Sequence, residues 1–491
     1  MLVSNSPCAV IVLAAGAGTR MKSKTQKTLH SIGGRSLLAH SLYAAAGIHP
    51  ERIITVIGHR REQVAPAIDD ISTELDIHIH TAIQEQQHGT GHAVQCAMEL
   101  LADFHGTIMV TNADVPLLRS ETLQDCLTHH TTTHSAVTVM SMHVEDPTGY
   151  GRIIRTNDGT VSAIVEQKDA DEATRAIKEV NSGVFAFDAD VLRENLQHLT
   201  TDNAQGELYL TDVLSIARQQ HKTVSAFCAP DHKELAGVND RLQLAHAAKE
   251  LNRRTLAAVM RGGATIVDPE STWIDVTATI GSDVTIYPGT QILGNSVIGD
   301  EAEIGPDTTL HNMTVETGAQ VIRTHGLDSH IGAHAQVGPF TYIRPGTTLG
   351  ERGKLGGFVE AKNACIGAGS KVPHLTYIGD ATVGEESNIG ASSVFVNYDG
   401  VNKHHTVIGN HVRTGSDTMF IAPVTVGDGA YSGAGTVIRD DVPPGALAVS
   451  GGKQRNIENW VMRKRPDTPA ARAAEDAQEK GIFTEVGDEK Q

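Results

Sequence analysis

Aromatic residues are scarce in this chain of 491 residues: Phe, Trp and Tyr together make up 4%, and only two of them are Trp. The hydrophobic 40% is therefore mostly aliphatic, enough for ordinary globular cores. Cysteine is scarce as well. Cys8, Cys96, Cys126, Cys228 and Cys365 are scattered and odd in number, with no CxxC pair and no His at ligand spacing. That excludes a disulfide scaffold or a cysteine-based zinc site and matches a reducing cytoplasm. Basic charge is also in deficit, with 40 Lys and Arg against 58 Asp and Glu and a net charge of −18. Counterion release needs a basic surface, so broad nucleic-acid or anionic-membrane binding is excluded and any phosphate site must be local. No apolar run reaches the roughly 18 residues of a membrane span, and Met1–Pro7 lacks the basic flank and apolar core of a signal peptide. The expectation is a soluble, cytoplasmic protein.

What the chain does have is length and glycine. It is too long for one core and should hold two or three domains, and its 48 glycines fall mainly in one N-terminal loop and one repeat. From Ile280 to Val437 an Ile, Val or Leu returns every sixth residue, usually followed by Gly, as in Ile280-Gly281, Ile298-Gly299, Ile331-Gly332 and Ile408-Gly409. A small residue stands four places after each aliphatic. A period of six fits neither a helix nor plain alternation. Three hexads make a coil of 18 residues, as from Ile280 to Ile298, each hexad giving a short strand and a corner. Stacked coils would bury the aliphatics as ladders, which predicts a parallel β-helix.

The first half reads differently. Short apolar runs at Ala9–Leu13, Ile53–Ile57, Ile77–Ile83, Ile108–Val110 and Ala136–Val139 alternate with helix-like stretches such as Leu37–Ala46 and Ala93–Leu101. This predicts an α/β, doubly wound, Rossmann-like sheet with ligands beyond the carboxyl ends of its strands. Arg241–Arg261 reads as one long helix, with Leu244, Ala248 and Leu251 on a stripe and Gly262-Gly263 as its stop, a rigid spacer between domains. The expected organisation is an N-terminal domain over 1–240, a linker helix over 241–262, the β-helix over 263–460 and an unstructured tail over 461–491, where core-forming residues run out.

Chemistry enters at the loop after the first strand. Leu13-Ala14-Ala15-Gly16-Ala17-Gly18-Thr19-Arg20-Met21 puts two glycines where backbone N–H groups can approach a phosphate, and Arg20 and Lys27 add positive charge. The spacing is neither the dinucleotide fingerprint nor a Walker loop, and the glycines alone suit a tight turn equally well. The whole string, with its following lysine, resembles the sugar-1-phosphate nucleotidyltransferases, with Gln26 standing where that family commonly has Pro. Further segments match in the family's order. Gln84-Glu85-Gln86-Gln87-His88-Gly89-Thr90-Gly91 resembles its uracil-reading segment. Asp114, in Asn112-Ala113-Asp114, resembles its magnesium aspartate, although Ala113 replaces the usual Gly and such an Asp could equally cap the next helix. Gly149-Tyr150-Gly151-Arg152, Glu166, Asn181 and Asn239 match acetamido-sugar positions and the second metal ligand, with turn or cap roles as the alternatives.

The resemblance implies that Leu13, Ala14, Gly16, Lys27, Gln84, Gln87, Gly89, Thr90, Gly151, Glu166, Asn181 and Asn239 bind UTP and the sugar nucleotide, that Arg20 and Lys27 act on the triphosphate, and that Asp114 and Asn239 hold Mg2+. The sugar phosphate is already ionised, so no protein nucleophile is required; orientation and charge stabilisation suffice.

The repeat carries its own chemistry where it breaks. Phe340–Gly346, Phe358–Lys362, His374–Asp380 and Asn397–Lys403 bring charged and titratable residues into the coils, with an excursion at 394–406. The hexads resemble left-handed β-helix acyltransferases, and with the N-terminal motifs the chain from Ala9 to about Trp460 resembles the bacterial family that joins a uridyltransferase to a glucosamine-1-phosphate acetyltransferase. That resemblance implies Arg344, Lys362, Tyr377 and Asn388 for glucosamine-1-phosphate. His374 would be the general base, suited by an imidazole pKa near about 6.5, and Asn397 would orient it. Ala391, Asn397, Tyr398, Ser416 and Ala434 would lie along acetyl-CoA, in a groove completed by neighbouring subunits of a homotrimer. Two departures stand out: Ser392 replaces a common Gly, and Gly451 replaces an Arg that touches CoA in some members, with Lys453 or Arg455 as substitutes.

The implied activity is acetylation of glucosamine-1-phosphate followed by uridylylation of N-acetylglucosamine-1-phosphate, giving UDP-N-acetylglucosamine and pyrophosphate for cell-wall precursors. A non-catalytic assembly or regulatory subunit sharing both folds is the alternative; it would be free to lose Lys27, Asp114, Asn239 and His374, and all four are present.

Overall fold

A computed structural model describes residues 7–452 and 454–481. Alternating apolar runs and amphipathic stretches give, in order, β1 (Cys8–Leu13), α1 (Leu37–Ala46), β2 (Arg52–Ile57), α2 (Arg61–Leu75), β3 (Ile79–Ile83), α3 (Thr90–Met98), β4 (Thr107–Asn112), α4 (Ser120–Thr132), β5 (Val137–His143), β6 (Arg152–Arg155), β7 (Val161–Val165), β8 (Glu179–Asp188), α5 (Ala189–Asn195), α6 (Asp212–Gln219) and β9 (Val224–Cys228). The sheet runs β9-β5-β8-β4-β1-β2-β3, with β6 and β7 attached through β8. All pairings along the main path are parallel except those of β8 with β4 and β5. Side chains from alternating positions of β1 enter separate cores, Val10 and Val12 on one face and Ala9 and Ile11 on the other. Burial on both faces is why these strands read as continuous apolar runs.

Helix α7 (Arg241–Arg261) starts at Asp240, whose side chain accepts from the Gln243 N–H. It is more than a spacer. Ala247, with Leu244, Ala248 and Leu251 beside it, packs into a small core with Ile32, Leu37, Leu117 and Val238, while Leu256 belongs to the core of the following domain. Asn252 clamps the first coil, donating to Thr272 O at 2.8 Å and accepting from Ile274 N at 3.1 Å. The two domains also meet directly, with the Val276 N–H on Gly33 O at 3.0 Å.

From Thr265 onwards the chain winds into coils whose two- to seven-residue strands stack in parallel, one face forming a sheet of 7 strands and the others a continuous sheet of 17. The hexad aliphatics Ile286, Ile292, Ile304, Leu310, Val321, Ile331, Ile343 and Leu349 form the interior ladders at 0% exposure. The small residues are as deeply buried, and their hydroxyls are satisfied locally. Thr290, Ser296, Thr347 and Ser393 each donate to the carbonyl three residues back, at 2.7–2.9 Å, so a polar group enters the core without an unmet hydrogen bond. The glycine after the aliphatic answers to stacking: a Cβ on Gly350 would lie 2.6 Å from the Ala368 nitrogen of the next coil.

Coil length departs from a uniform 18. Thr279 pairs with Val297, 18 on, but Thr314 pairs with His330, 16 on, and Glu360 with Tyr377, 17 on. One coil is expanded, so that Ala381 pairs with Thr406, 25 on. The extra residues are extruded as the loop after Val396, closed by the His404 N–H on Asn397 O at 2.7 Å. Next to it the core turns aromatic, with Phe395 and Phe420 stacked at 4.6 Å between centroids.

The tail differs from expectation. Its described part forms α8 (Trp460–Lys464) and α9 (Pro469–Glu479). Thr468 caps α9 through Ala471 N, Pro469 opens it, and Ala471 is fully buried. The signals were a good N-cap and an Ala-rich run; low overall hydrophobicity masked them. No helix among the described residues is long and apolar enough to cross a membrane.

Candidate functional sites

At the carboxyl edge of the N-terminal sheet, the loops after β1, β3 and β4 surround a cavity of about 250 Å³. Leu13, Ala14, Gly16, Lys27, Gln84, Gln87, Gly89, Thr90 and Asp114 all line it, so the sequence motifs come together in space. Ala15, Thr28, Ala93, Asn112 and Glu207 line it too. Asn112 ends β4, two residues beyond the apolar run read from the sequence, and Glu207 comes from a distant loop with no local signal. Gly89 has to be glycine: its φ is +104° and a Cβ would lie 2.6 Å from Leu208 O.

The glycine loop is held by side chains behind it. Gln26, almost fully buried, donates to Gly16 O at 2.9 Å and accepts from the N–H and hydroxyl of Thr28, both at 2.6 Å. Gln87 donates to Ala15 O at 2.6 Å. Gln26 thus ties the loop by hydrogen bonds at the place where the resembling family commonly has a proline. Gly16 has open space around its Cα, and Arg20 is exposed outside the cavity lining.

Lys27 Nζ pairs with the Asp114 carboxylate and lies 3.1 Å from Asn239 Oδ1. The Val238 N–H on Asp114 O at 2.8 Å brings Asn239 alongside Asp114. Asp114 does not cap α4, which has no side-chain cap, and Asn239 does not cap α7, which uses Asp240. Both alternatives read from sequence therefore fall away. One carboxylate and one amide oxygen converge on a cation, a donor set that suits Mg2+, which keeps several waters and phosphate oxygens in its shell.

Gly151, Glu166 and Asn181 gather beside this cavity without lining it. A Cβ on Gly151 would sit 3.1 Å from Glu166 Oε1, and Asn181 N donates to Gly151 O at 2.8 Å. Asn112 Nδ2 joins the two groups by donating to Gly183 O at 3.3 Å. Burial, reinforced by Asp169 and Asp212, holds the Glu166 carboxyl above the usual carboxylate range.

On the β-helix the candidate residues form a row. Ser392 N donates to His374 O, Asp417 N to Ala391 O and Gly435 N to Ser416 O. His374, Ala391, Ser416 and Ala434 therefore occupy equivalent corner positions on consecutive coils, although 17, 25 and 18 residues separate them. Beside the row, Asp380 gathers polar groups: Asn363 Nδ2 at 2.7 Å, Asn397 Nδ2 at 2.5 Å and Lys362 Nζ at 4.0 Å. Burial opposes its ionisation, but the amide hydrogen bonds and the Lys362 and Lys403 charges hold its pKa below the usual carboxylate range. Lys403, from the extruded loop, approaches Lys362, whose neighbouring positive charge lowers the Lys403 pKa. Two ammoniums side by side make a local anion site within an acidic protein.

Arg344 reaches Glu360 at 2.9 Å. Asn388 sits in the coil below, its backbone bonded to Val412 and Thr414. Asn397, expected to orient His374, donates from Nδ2 to Asp380 and has that nitrogen 3.4 Å from the Tyr377 hydroxyl. Tyr398 is exposed and donates to Gly400 O at 2.7 Å. Ser392 adopts φ +60°, the left-handed conformation that glycine takes without steric cost. Space is open around Gly451 and Arg455 is exposed, while Lys453 lies outside the described residues.

Comparison with known proteins decides the family. Residues 9–279 match the family described as Nucleotidyl transferase, and residues 277–312 match Bacterial transferase hexapeptide (six repeats). Bifunctional protein GlmU of Corynebacterium efficiens is 71% identical over 97% of this chain and 98% of its own length. That of Corynebacterium jeikeium is 72% identical over 96% of both chains. The chain belongs to the bifunctional GlmU family. The relationship extends beyond one genus: the GlmU protein of Mycolicibacterium gilvum is 62% identical over 96% of this chain and 95% of its own. Such coverage takes in both candidate sites at once, so neither half is a graft from a different kind of protein.

Proposed function

We propose that this GlmU-family enzyme acetylates glucosamine-1-phosphate with acetyl-CoA at the β-helix row and transfers UMP from UTP to the resulting N-acetylglucosamine-1-phosphate at the N-terminal cavity. The products are UDP-N-acetylglucosamine and pyrophosphate, for cell-wall precursors in the cytoplasm. The observation that carries this reading is the presence, in one chain, of a Lys27–Asp114–Asn239 cluster at the strand ends and a His374 row on the coils.

In uridylyl transfer the open backbone around Gly16 receives the triphosphate, with Lys27 and Arg20 countering its charge. Asp114 and Asn239 would hold Mg2+, which when bound supplies charge neutralisation to the phosphates. Gln84 and Gly89 read the uracil edge, and Gly151, Glu166 and Asn181 hold the acetamido sugar. A sugar phosphate oxygen attacks the α-phosphorus, the new P–O bond forms and pyrophosphate leaves.

In acetyl transfer Arg344, Lys362 and Lys403 receive the sugar phosphate, while Tyr377 and Asn388 hold the ring. His374 takes a proton from the substrate ammonium. The amine then attacks the thioester carbonyl, the C–N bond forms, and the C–S bond breaks to release CoA. Ala391, Ser416 and Ala434 carry the pantetheine chain along the row, with Asn397 and Tyr398 beside it. A homotrimer would close the groove. An exposed apolar ridge supports this: Phe340, Phe358 and Leu375, each more than half exposed, stand on successive coils beside His374.

The test is direct. Incubation of the full chain with glucosamine-1-phosphate, acetyl-CoA, UTP and magnesium should yield UDP-N-acetylglucosamine, CoA thiol and pyrophosphate. Thiol without the sugar nucleotide would refute the N-terminal half; absence of thiol would refute the β-helix half, and the N-terminal half is then tested with supplied N-acetylglucosamine-1-phosphate and UTP.

A further inference from the structure

Behind the amide that faces the nucleotide cavity lies a hydrogen-bond chain that fixes which way it points. Gln84 is 4% exposed, and its Nε2 lies 3.1 Å from Gly89 O and 3.1 Å from His92 Nδ1. A backbone carbonyl can only accept, so the atom facing Gly89 must be the amide nitrogen. That NH2 has two hydrogens, and the second goes to His92. Nδ1 is then the acceptor, and in a neutral imidazole the ring proton sits on Nε2. His92 Nε2 faces Cys96 Sγ at 3.9 Å, one helical turn further along α3. Burial raises the Cys96 pKa, so the neutral sulfur can accept that proton's hydrogen bond.

With both amide hydrogens engaged, Gln84 has only its Oε1 left to offer. Among the described residues no donor reaches that oxygen, and Gln84 lines the cavity.

We propose that His92 is the positioning residue for base selection: by accepting from Gln84 Nε2, it holds Gln84 Oε1 toward the nucleotide as a pure hydrogen-bond acceptor. Uracil offers an N3–H to such an oxygen. Cytosine presents a lone pair at N3 and is repelled, so the enzyme takes UTP over CTP through a residue that never touches the base. This rests on the reading of Gln84 as the base-reading amide. Without His92 only the Gly89 carbonyl still holds the amide nitrogen, so the amide turns more readily to present its NH2, which suits cytosine N3.

The test is steady-state nucleotidyl transfer by the full-length protein with UTP and with CTP, alongside acetyl transfer as a control for the fold. His92→Leu and His92→Ala should each lower the UTP:CTP ratio of kcat/KM by about tenfold, the effect of one misdirected hydrogen bond. Most of the change should appear in the KM for UTP, with kcat within about threefold. His92→Asn, which keeps an acceptor near the position of Nδ1, should restore most of the ratio. The parental ratio in both apolar variants would overturn the inference, and so would an Asn variant as unselective as they are. A parental protein that transfers neither nucleotide would instead overturn the functional reading on which this one depends.

Discussion

The two candidate sites are built by opposite strategies. In the N-terminal domain, residues 27, 84, 114 and 239 meet because four loops end at one edge of a twisted sheet. Each loop needs its own restraints, such as Gln26 on Gly16 O and Gln87 on Ala15 O. On the β-helix the backbone does the placing. His374, Ala391, Ser416 and Ala434 line up because consecutive coils repeat the same corner, with side chains adding local ties such as the Thr376 hydroxyl on His374 O at 2.7 Å and the Asp380 cluster beside the row. A loop-built site can be tuned one residue at a time; a coil-built one inherits its geometry from stacking.

The sharpest way to break this comparison is to disable one site alone. Asp114→Ala leaves Lys27 without its carboxylate and removes a metal ligand. Uridylyl transfer should fall by at least about a thousandfold, while acetyl transfer, followed by CoA thiol release, stays within about twofold. Loss of both in a folded protein would show that the halves are not independent. The converse variant, His374→Ala, should lower acetyl transfer by about a hundredfold or more and leave uridylyl transfer from supplied N-acetylglucosamine-1-phosphate at the parental rate.

A third variant tests whether stacking is what holds the second site. Gly350→Val would place a branched side chain where even a Cβ lies 2.6 Å from the next coil. It should cost about 2–3 kcal/mol, read as a lower denaturation temperature, with acetyl transfer lost on heating before uridylyl transfer. The smallest effect belongs to the helix between the domains. The hydrogen bond from Arg253, aided by Lys233 and opposed by burial, holds Glu250 down to about 2. A depressed carboxylate stabilises the fold above its unfolded pKa, and that stability is lost as pH falls toward the folded value. Glu250→Gln should therefore cost about 1 kcal/mol or less at neutral pH. The gap between parent and variant should narrow from about pH 4.5 toward pH 2, as followed by chemical denaturation.

The sequence showed the repeating part of this molecule more fully than the irregular part. Ladders of Ile, Val and Leu are periodic, so position along the chain predicts burial, and the rungs at Ile286, Ile331 and Leu349 are fully buried. Local motifs also marked the glycine loop and Gln84–Thr90, because strand ends and glycines are local signals. Partnerships between distant side chains were not legible. Asp380 carries little signal alone, yet it gathers Asn363, Asn397 and Lys362. Gln26 looked like a mere departure from proline, whereas its contacts make it a tie. The 16- and 17-residue coils escaped notice because shortening a corner leaves the aliphatic-small pattern intact.

The expanded coil bears on how such an enzyme can change. It holds 25 residues where its neighbours hold 17 or 18, yet Ala391 and Ser416 remain one strand spacing apart, roughly 4.8 Å. In this half of the molecule, distance along the chain and distance in space have been uncoupled. Residues can be added at a corner to supply a new group such as Lys403 while the interval that a thioester's long arm must span stays constant. Insertions of this kind can alter what the site recognises without altering its reach.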